Sequence, residues 1–223
     1  MIIKAVVSFV VCFLITAILG KILIPVLKSI KMGQKILDIG PRWHKSKEGT
    51  PTMGGIFFIG GVTVCVIIAA VFCALDGGNG LYELIVNYLF MVSCGVIGII
   101  DARTKFVKKQ NAGLTAVQKL VLQFLTAGLY VFFICFGNEP ETALTLPFTD
   151  YTLELGIFYY VFLIVGIVFT VNAVNLTDGI DGLAASITAV SCSFIGAVAY
   201  KTENELVLFV AAAMVGGAVG FLV

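Results

Sequence analysis

The chain has 223 residues, of which 60% are hydrophobic and only 12% are charged. That composition leaves too little polar surface for a soluble domain of this size, so a lipid membrane is the solvent to expect. A formal net charge of +1 gives no broad basic face, which argues against nucleic-acid binding.

Seven apolar runs along the chain are each long enough to cross a bilayer as a helix. In chain order they are Ala5–Leu27, Gly54–Leu75, Leu84–Ile100, Ala116–Gly137, Gly156–Val174, Leu183–Tyr200 and Leu206–Val223. Helices satisfy their own backbone polar groups in lipid, so the predicted fold is an all-α polytopic bundle, and residues 1–223 form one integral membrane domain. The last run is still apolar at its end, and we therefore expect a chain that is shortened at the C-terminus.

Positive charge is concentrated in two connections. Of the 14 Lys and Arg residues, six lie between Lys28 and Lys47 and four lie between Arg103 and Lys109. These are alternate connections, so both lie on the same side of the membrane. The positive-inside rule makes that side cytoplasmic and places the N-terminus outside.

Three polar clusters fall on the predicted cytoplasmic side. In the first, Gly40–Gly55, basic residues precede a Gly, Thr and Pro run whose backbone N–H groups suit an anion near a helix start. An ordinary positive-inside loop is the alternative for its lysines.

In the second cluster, Asp101 is followed by a basic stretch that ends at Lys119. A helix-end carboxylate paired with Lys105, four residues on, is the alternative there.

The third cluster places Asn172, Asn175, Asp178 and Asp181 at three-residue intervals across the end of the fifth run. On a helix this spacing stacks the two amides on one face above the two carboxylates, close to glycines that let the chain turn. A tight Asp-Gly turn is the alternative. A turn does not need an amide inside an apolar helix, where an unpaired polar group is costly, so Asn172 favours function.

The oxygen ligands in these clusters suit Mg²⁺, which proteins usually hold by one or two carboxylates together with substrate phosphates. Lysines and arginines near such an ion are typical of phosphoryl transfer, where the protein positions phosphates and neutralises charge. The sequence therefore predicts a phosphoryl-transfer site at the inner membrane surface, reached by one substrate from water and by the other from lipid.

At these residues the sequence resembles the phospho-N-acetylmuramoyl-pentapeptide transferases, a branch of the polyprenyl-phosphate sugar-1-phosphate transferases in glycosyltransferase family 4. The matching motifs are, in family order, Gly49–Gly55, Gly113–Lys119 and Asn172–Ala184. The resemblance runs from about Gly40 to Val223 and includes seven of the family's ten helices.

The resemblance implies a Mg²⁺-dependent enzyme of peptidoglycan synthesis in the bacterial plasma membrane. It implies transfer from UDP-N-acetylmuramoyl-pentapeptide to undecaprenyl phosphate, which gives lipid I and UMP, and it leaves a homodimer open. By motif it assigns catalysis to Asp101, Asp178 and Asp181, with Asp101 also a metal ligand. It assigns substrate contacts to Lys47, Thr52, Lys105, Lys119, Asn172 and Asn175.

The chain departs from the family pattern at two places. Where the family has Asp-Asp-Tyr, this chain has Asp101-Ala102-Arg103, which removes one carboxylate, sets a positive charge beside the other and should weaken metal binding. The family's third catalytic aspartate, in a Met-Gly-Asp motif, would lie beyond Val223. Because groups that act on one transition state fail together, we expect transfer by this chain to be impaired.

Three other functions stay open at this point. A sibling transferase would load N-acetylglucosamine phosphate onto the same lipid. An ion channel or transporter would use the carboxylates as a cation path, although the runs Leu84–Ile100 and Leu183–Tyr200 carry no charge to continue it. A non-catalytic remnant would bind nucleotide or lipid without turnover.

Overall fold

Seven long apolar helices make up most of the protein. The computed structural model describes residues 1–29, 53–108, 113–136, 142–145, 149 and 151–223. The helices are α1 (Ile2–Ser29), α2 (Gly55–Leu75), α3 (Leu81–Lys108), α4 (Ala116–Phe136), α5 (Ile157–Thr177), α6 (Leu183–Lys201) and α7 (Glu205–Leu222). Within these ranges all seven are long and apolar enough to cross a membrane, which confirms the predicted spans and the all-α bundle.

Two details differ from the sequence prediction. Helix α3 continues past Ile100 as far as Lys108, so Asp101 lies inside a helix rather than at its end. A short antiparallel hairpin, β1 (Ala143–Thr145) with β2 (Thr152–Glu154), lies in the connection between α4 and α5. Strands of three residues are too short for an alternating pattern to reveal them.

Helices α1, α2 and α7 share a buried core, and α6 packs against α7. The shared core consists mostly of small and medium side chains, together with Phe209 of α7 and Leu84 of α3: Cys12, Val62, Cys65, Ala69, Cys73, Leu84, Phe209 and Ala213. Glycines let two of these helices approach closely, since a Cβ atom at Gly216 would lie 2.9 Å from the carbonyl carbon of Phe9. Small residues at helix contacts are typical of membrane bundles.

Helices α3, α4 and α5 form a layer beside this core. The hydroxyl of Tyr88 on α3 donates to Thr63 on α2 at 3.2 Å, which attaches the layer. Helices α3 and α4 are antiparallel, because Tyr82 near the start of α3 donates to the carbonyl of Phe133 near the end of α4, at 2.6 Å. We call the end of the layer where α3 and α5 finish and α4 begins the basic end.

Candidate functional site

Asp101 lies at the basic end with only 11% of its side chain exposed. Its Oδ2 atom is 2.9 Å from the ammonium of Lys105, one helical turn further along α3. Its Oδ1 atom is 3.3 Å from the ammonium of Lys119, in the first turn of α4. One carboxylate is therefore shared by two ammonium groups, and this Asp101 cluster of Asp101, Lys105 and Lys119 carries a net positive charge suited to an anion.

The connection into α4 is built around the same carboxylate. The backbone N–H of Leu114 donates to Asp101 Oδ1 at 2.9 Å. Gly113 lies against Asp101 so closely that a Cβ atom there would be 2.8 Å from the Asp101 carbonyl oxygen. A side chain would push the loop away, so the glycine of this motif is explained by close approach of the backbone.

A reciprocal cap fixes the start of α4. The N–H of Gln118 donates to the Thr115 hydroxyl at 3.2 Å, and the N–H of Thr115 donates to the Gln118 side-chain oxygen at 3.0 Å. This capping box satisfies two backbone donors that the helix itself leaves unpaired. It sets the helix start directly before Lys119, which is why that lysine reaches Asp101.

A second polar contact joins α4 to α5. Gln123 is four residues after Lys119, so both lie on one face of α4. The side-chain N–H of Asn172 on α5 donates to Gln123 Oε1 at 2.7 Å, and the same nitrogen donates to the carbonyl of Val168 at 2.8 Å. The sequence analysis did not single out Gln123, although a buried amide in an apolar helix, one turn after Lys119, was a signal that could have identified it.

The other predicted residues of the third cluster are exposed. Asn175 lies in the last turn of α5, and Asp178 caps that helix with its N–H donating to the carbonyl of Val174 at 3.2 Å. Asp181 lies in the turn before α6. The helical spacing thus stacks the two amides on α5 and leaves the carboxylates in the turn. Within the described part of the chain, no ion pair joins Asp178 to Lys105 or Lys119.

The Asp101 cluster and the Gln123–Asn172 hydrogen bond nevertheless lie about one helical turn apart along α4. Since α4 and α5 are antiparallel and Gln123 faces Asn172, one turn toward the basic end leads to Lys119 on α4 and to about Asn175 on α5. That turn is about 5 Å along the axis. Asp101, Lys105 and Lys119 are in contact, and Asn172 is bonded to the same helix α4 through Gln123. The predicted contacts Lys47 and Thr52 lie outside the described residues.

The described residues do not form a metal site by themselves. No group of three His, Cys, Asp or Glu side chains comes together anywhere in the ranges that the structure covers. Both oxygens of Asp101, the predicted ligand, already accept from ammonium groups. Two cations thus stand where a divalent ion would have to bind, and this carboxylate does not fit a resident Mg²⁺ as it is arranged.

Comparison with known proteins identifies the family. The sequence profile described as glycosyl transferase family 4 matches residues 84–223, which include the Asp101 cluster, Gln123 and all of α5. A phospho-N-acetylmuramoyl-pentapeptide-transferase signature matches residues 47–59, a segment that contains Lys47 and Thr52.

Curated relatives agree with both matches. The phospho-N-acetylmuramoyl-pentapeptide-transferase of Clostridium novyi is 37% identical over 96% of this chain and 64% of the relative. Those of Clostridium kluyveri and Listeria monocytogenes are also 37% identical, over 98% and 96% of this chain and 67% and 65% of the relative. The chain thus spans about two thirds of the length of these relatives. It belongs to glycosyl transferase family 4, within the branch of the phospho-N-acetylmuramoyl-pentapeptide-transferases.

Proposed function

We propose that this protein transfers phospho-N-acetylmuramoyl-pentapeptide from its UDP carrier to undecaprenyl phosphate at the cytoplasmic face of the bacterial plasma membrane. An oxygen of the lipid phosphate forms a bond to the phosphorus that carries the sugar, the bond from that phosphorus to UMP breaks, and UMP leaves. The observation that carries the proposal is the pair of lysines on one carboxylate, at the end of a membrane bundle of this family.

The Asp101 cluster supplies the chemistry that such a transfer needs. A substrate phosphate competes with the Asp101 carboxylate for Lys105 and Lys119, because both anions accept charge-assisted hydrogen bonds from ammonium groups. As the lysines turn to the phosphate they neutralise charge that develops during transfer. Asp101 then has an oxygen free to accept the proton of the attacking lipid phosphate.

An apolar groove in the membrane-spanning part supports a substrate that arrives from lipid. The groove has a volume of about 320 Å³ and is open along one side of α5. Its lining consists mainly of large apolar side chains: Phe90, Phe162, Leu163, Gly166, Ile167, Thr170 and Val171. It ends beside Asn172, so a prenyl chain lying in it would direct its phosphate toward the basic end.

The nucleotide is proposed to bind on the exposed side of the basic end. Asn175, Asp178 and Asp181 are exposed there, as a water-borne substrate requires, and the family signature covers Lys47 and Thr52. Mg²⁺ enters the proposal only as an ion carried by the diphosphate of the nucleotide, since the described carboxylates do not build a site for it.

Transfer in liposomes tests the proposal, and the test compares the wild-type chain with a variant at Ala102. The wild-type chain and Ala102→Asp are reconstituted with undecaprenyl phosphate and radiolabelled UDP-N-acetylmuramoyl-pentapeptide, and UMP and labelled lipid are measured. We expect the wild type to transfer slowly. Ala102→Asp restores the second carboxylate of the family pattern, and we expect it to transfer at least about tenfold faster. A general acid or base typically raises a reaction rate by a factor of about 10² to 10⁴. Ala102→Asn, which adds a side chain of the same shape without the negative charge, is the matched control.

Three results would contradict the proposal. Transfer only from UDP-N-acetylglucosamine would indicate the sibling reaction. Nucleotide binding without transfer in either variant would indicate a non-catalytic remnant. Cation flux through the liposomes without UMP release would indicate a channel or transporter.

A further inference from the structure

Gln123 is a buried amide that the proposed chemistry does not use. It is 8% exposed, and the other buried side chains of α4, Ala127 and Val131, are apolar. A polar side chain inside a membrane bundle is costly unless it is bonded, and such residues usually have a function. Its oxygen accepts from Asn172 at 2.7 Å, so the bonding requirement is met by a residue of the neighbouring helix.

The side-chain nitrogen of Asn172 makes two hydrogen bonds. An amide nitrogen carries two hydrogens, and here one points to the carbonyl of Val168 and the other to Gln123 Oε1. The first contact is within α5 and sets the rotamer. The second is between helices, so it sets where α5 lies along α4.

Helix α5 has one side-chain hydrogen bond to another helix in the part of the chain that the structure describes, the Gln123–Asn172 pair, and its one buried residue is Val168. Side-chain hydrogen bonds between helices are one of the interactions that hold membrane helices against each other, so this bond helps to set the position of α5 along α4. A slip of a single residue would move the end of α5 by about 1.5 Å relative to Lys119.

We propose that Gln123 is a positioning residue that fixes the axial register of α5 against α4. It acts through Asn172 and holds Asn175 and Asp178 at the level of Lys119, where the nucleotide would bind. The effect on substrate binding rests on the proposed function. The effect on the position of α5 does not, and the two are measured separately.

The test compares three variants in lipid nanodiscs. Gln123→Leu removes the amide at similar size. Gln123→Asn combined with Asn172→Gln exchanges the two amides and keeps their total length, so it should restore the bond. Thr126→Val is the matched control, because the Thr126 hydroxyl on the same helix donates only to the carbonyl of Leu122, at 2.8 Å.

The first measurement is backbone hydrogen exchange of residues 173–182, which needs no substrate. We expect exchange there to be about threefold to tenfold faster in Gln123→Leu, the range for loss of one buried or interhelical hydrogen bond. The exchanged pair and Thr126→Val should match the wild type. Unchanged exchange in Gln123→Leu, or no recovery in the exchanged pair, would overturn the proposal.

The second measurement is the KM of transfer for each substrate. We expect Gln123→Leu to raise KM for the nucleotide sugar by about threefold to tenfold, with little change in KM for undecaprenyl phosphate, and Thr126→Val to match the wild type. An equal fall in kcat with both KM values unchanged would overturn the positioning role. If the wild type transfers nothing, the proposed function fails, and hydrogen exchange alone still decides whether Gln123 positions α5.

Discussion

Replacing Asp101 with Asn is expected to lower kcat for transfer by about 10² to 10⁴ and to leave the bundle folded. The asparagine keeps the shape of the side chain and still accepts from the N–H of Leu114. It loses the negative charge that Lys105 and Lys119 share and the oxygen that would accept a proton. Loss of a general base typically costs that factor in rate.

Stability should change far less than rate. Lys105 and Lys119 have 44% and 25% of their side chains exposed, so water solvates them when the carboxylate charge is gone. Ion pairs that reach solvent contribute about 0 to 1 kcal/mol. Transfer rate and thermal unfolding are measured together in the same liposomes, with Asp76→Asn, an exposed carboxylate at the end of α2, as control. A rate for Asp101→Asn within twofold of that control would remove Asp101 from the mechanism.

Replacing Lys119 with Met should give the second-largest effect. Lys119 is the less exposed of the two lysines, and it lies on the face of α4 that continues to Gln123 and α5. Removing one charged hydrogen bond to a phosphate costs about 1.5 to 3 kcal/mol, so we expect kcat/KM for the nucleotide sugar to fall by about 10- to 150-fold. Lys105→Met should give a smaller fall, because that side chain is more exposed.

Lys201→Met provides the control for loss of a positive charge. Lys201 is exposed and lies at the end of α6, away from the start of α4. It should change kcat/KM by no more than about twofold. If Lys119→Met and Lys201→Met behave alike, Lys119 has no role in binding phosphate and its contact with Asp101 only stabilises the helix pair.

Sequence reasoning was most successful where local chemistry decides the structure. Apolar runs set the seven spans, because a helix in lipid must satisfy its own backbone. The pairing of Asp101 with Lys105 also follows from spacing, since residues four apart share a helix face. The ion pair between Asp101 and Lys119 was not predicted, because it depends on how two helices pack, and the resemblance assigned Lys119 only to substrate contact.

The sequence prediction was least complete where tertiary contact decides. Gln123 was missed because its importance depends on which residue of α5 faces it, and spacing along α4 does not reveal that. The hairpin was missed because its strands are three residues long. The roles of Asp178, Asp181, Lys47 and Thr52 stay predictions that only substrate binding can test.

Differential lysine labelling tests most directly whether the Asp101 cluster binds phosphate. The chain in nanodiscs is acetylated with an amine reagent in the presence and absence of UDP, and labelling rates are read by mass spectrometry. With UDP at ten times its dissociation constant, Lys105 and Lys119 should be labelled about tenfold more slowly while Lys201 is unchanged. If UDP binds, yet both lysines are labelled at the same rate as in its absence, the phosphate site lies elsewhere and the Asp101 cluster does not bind the substrate.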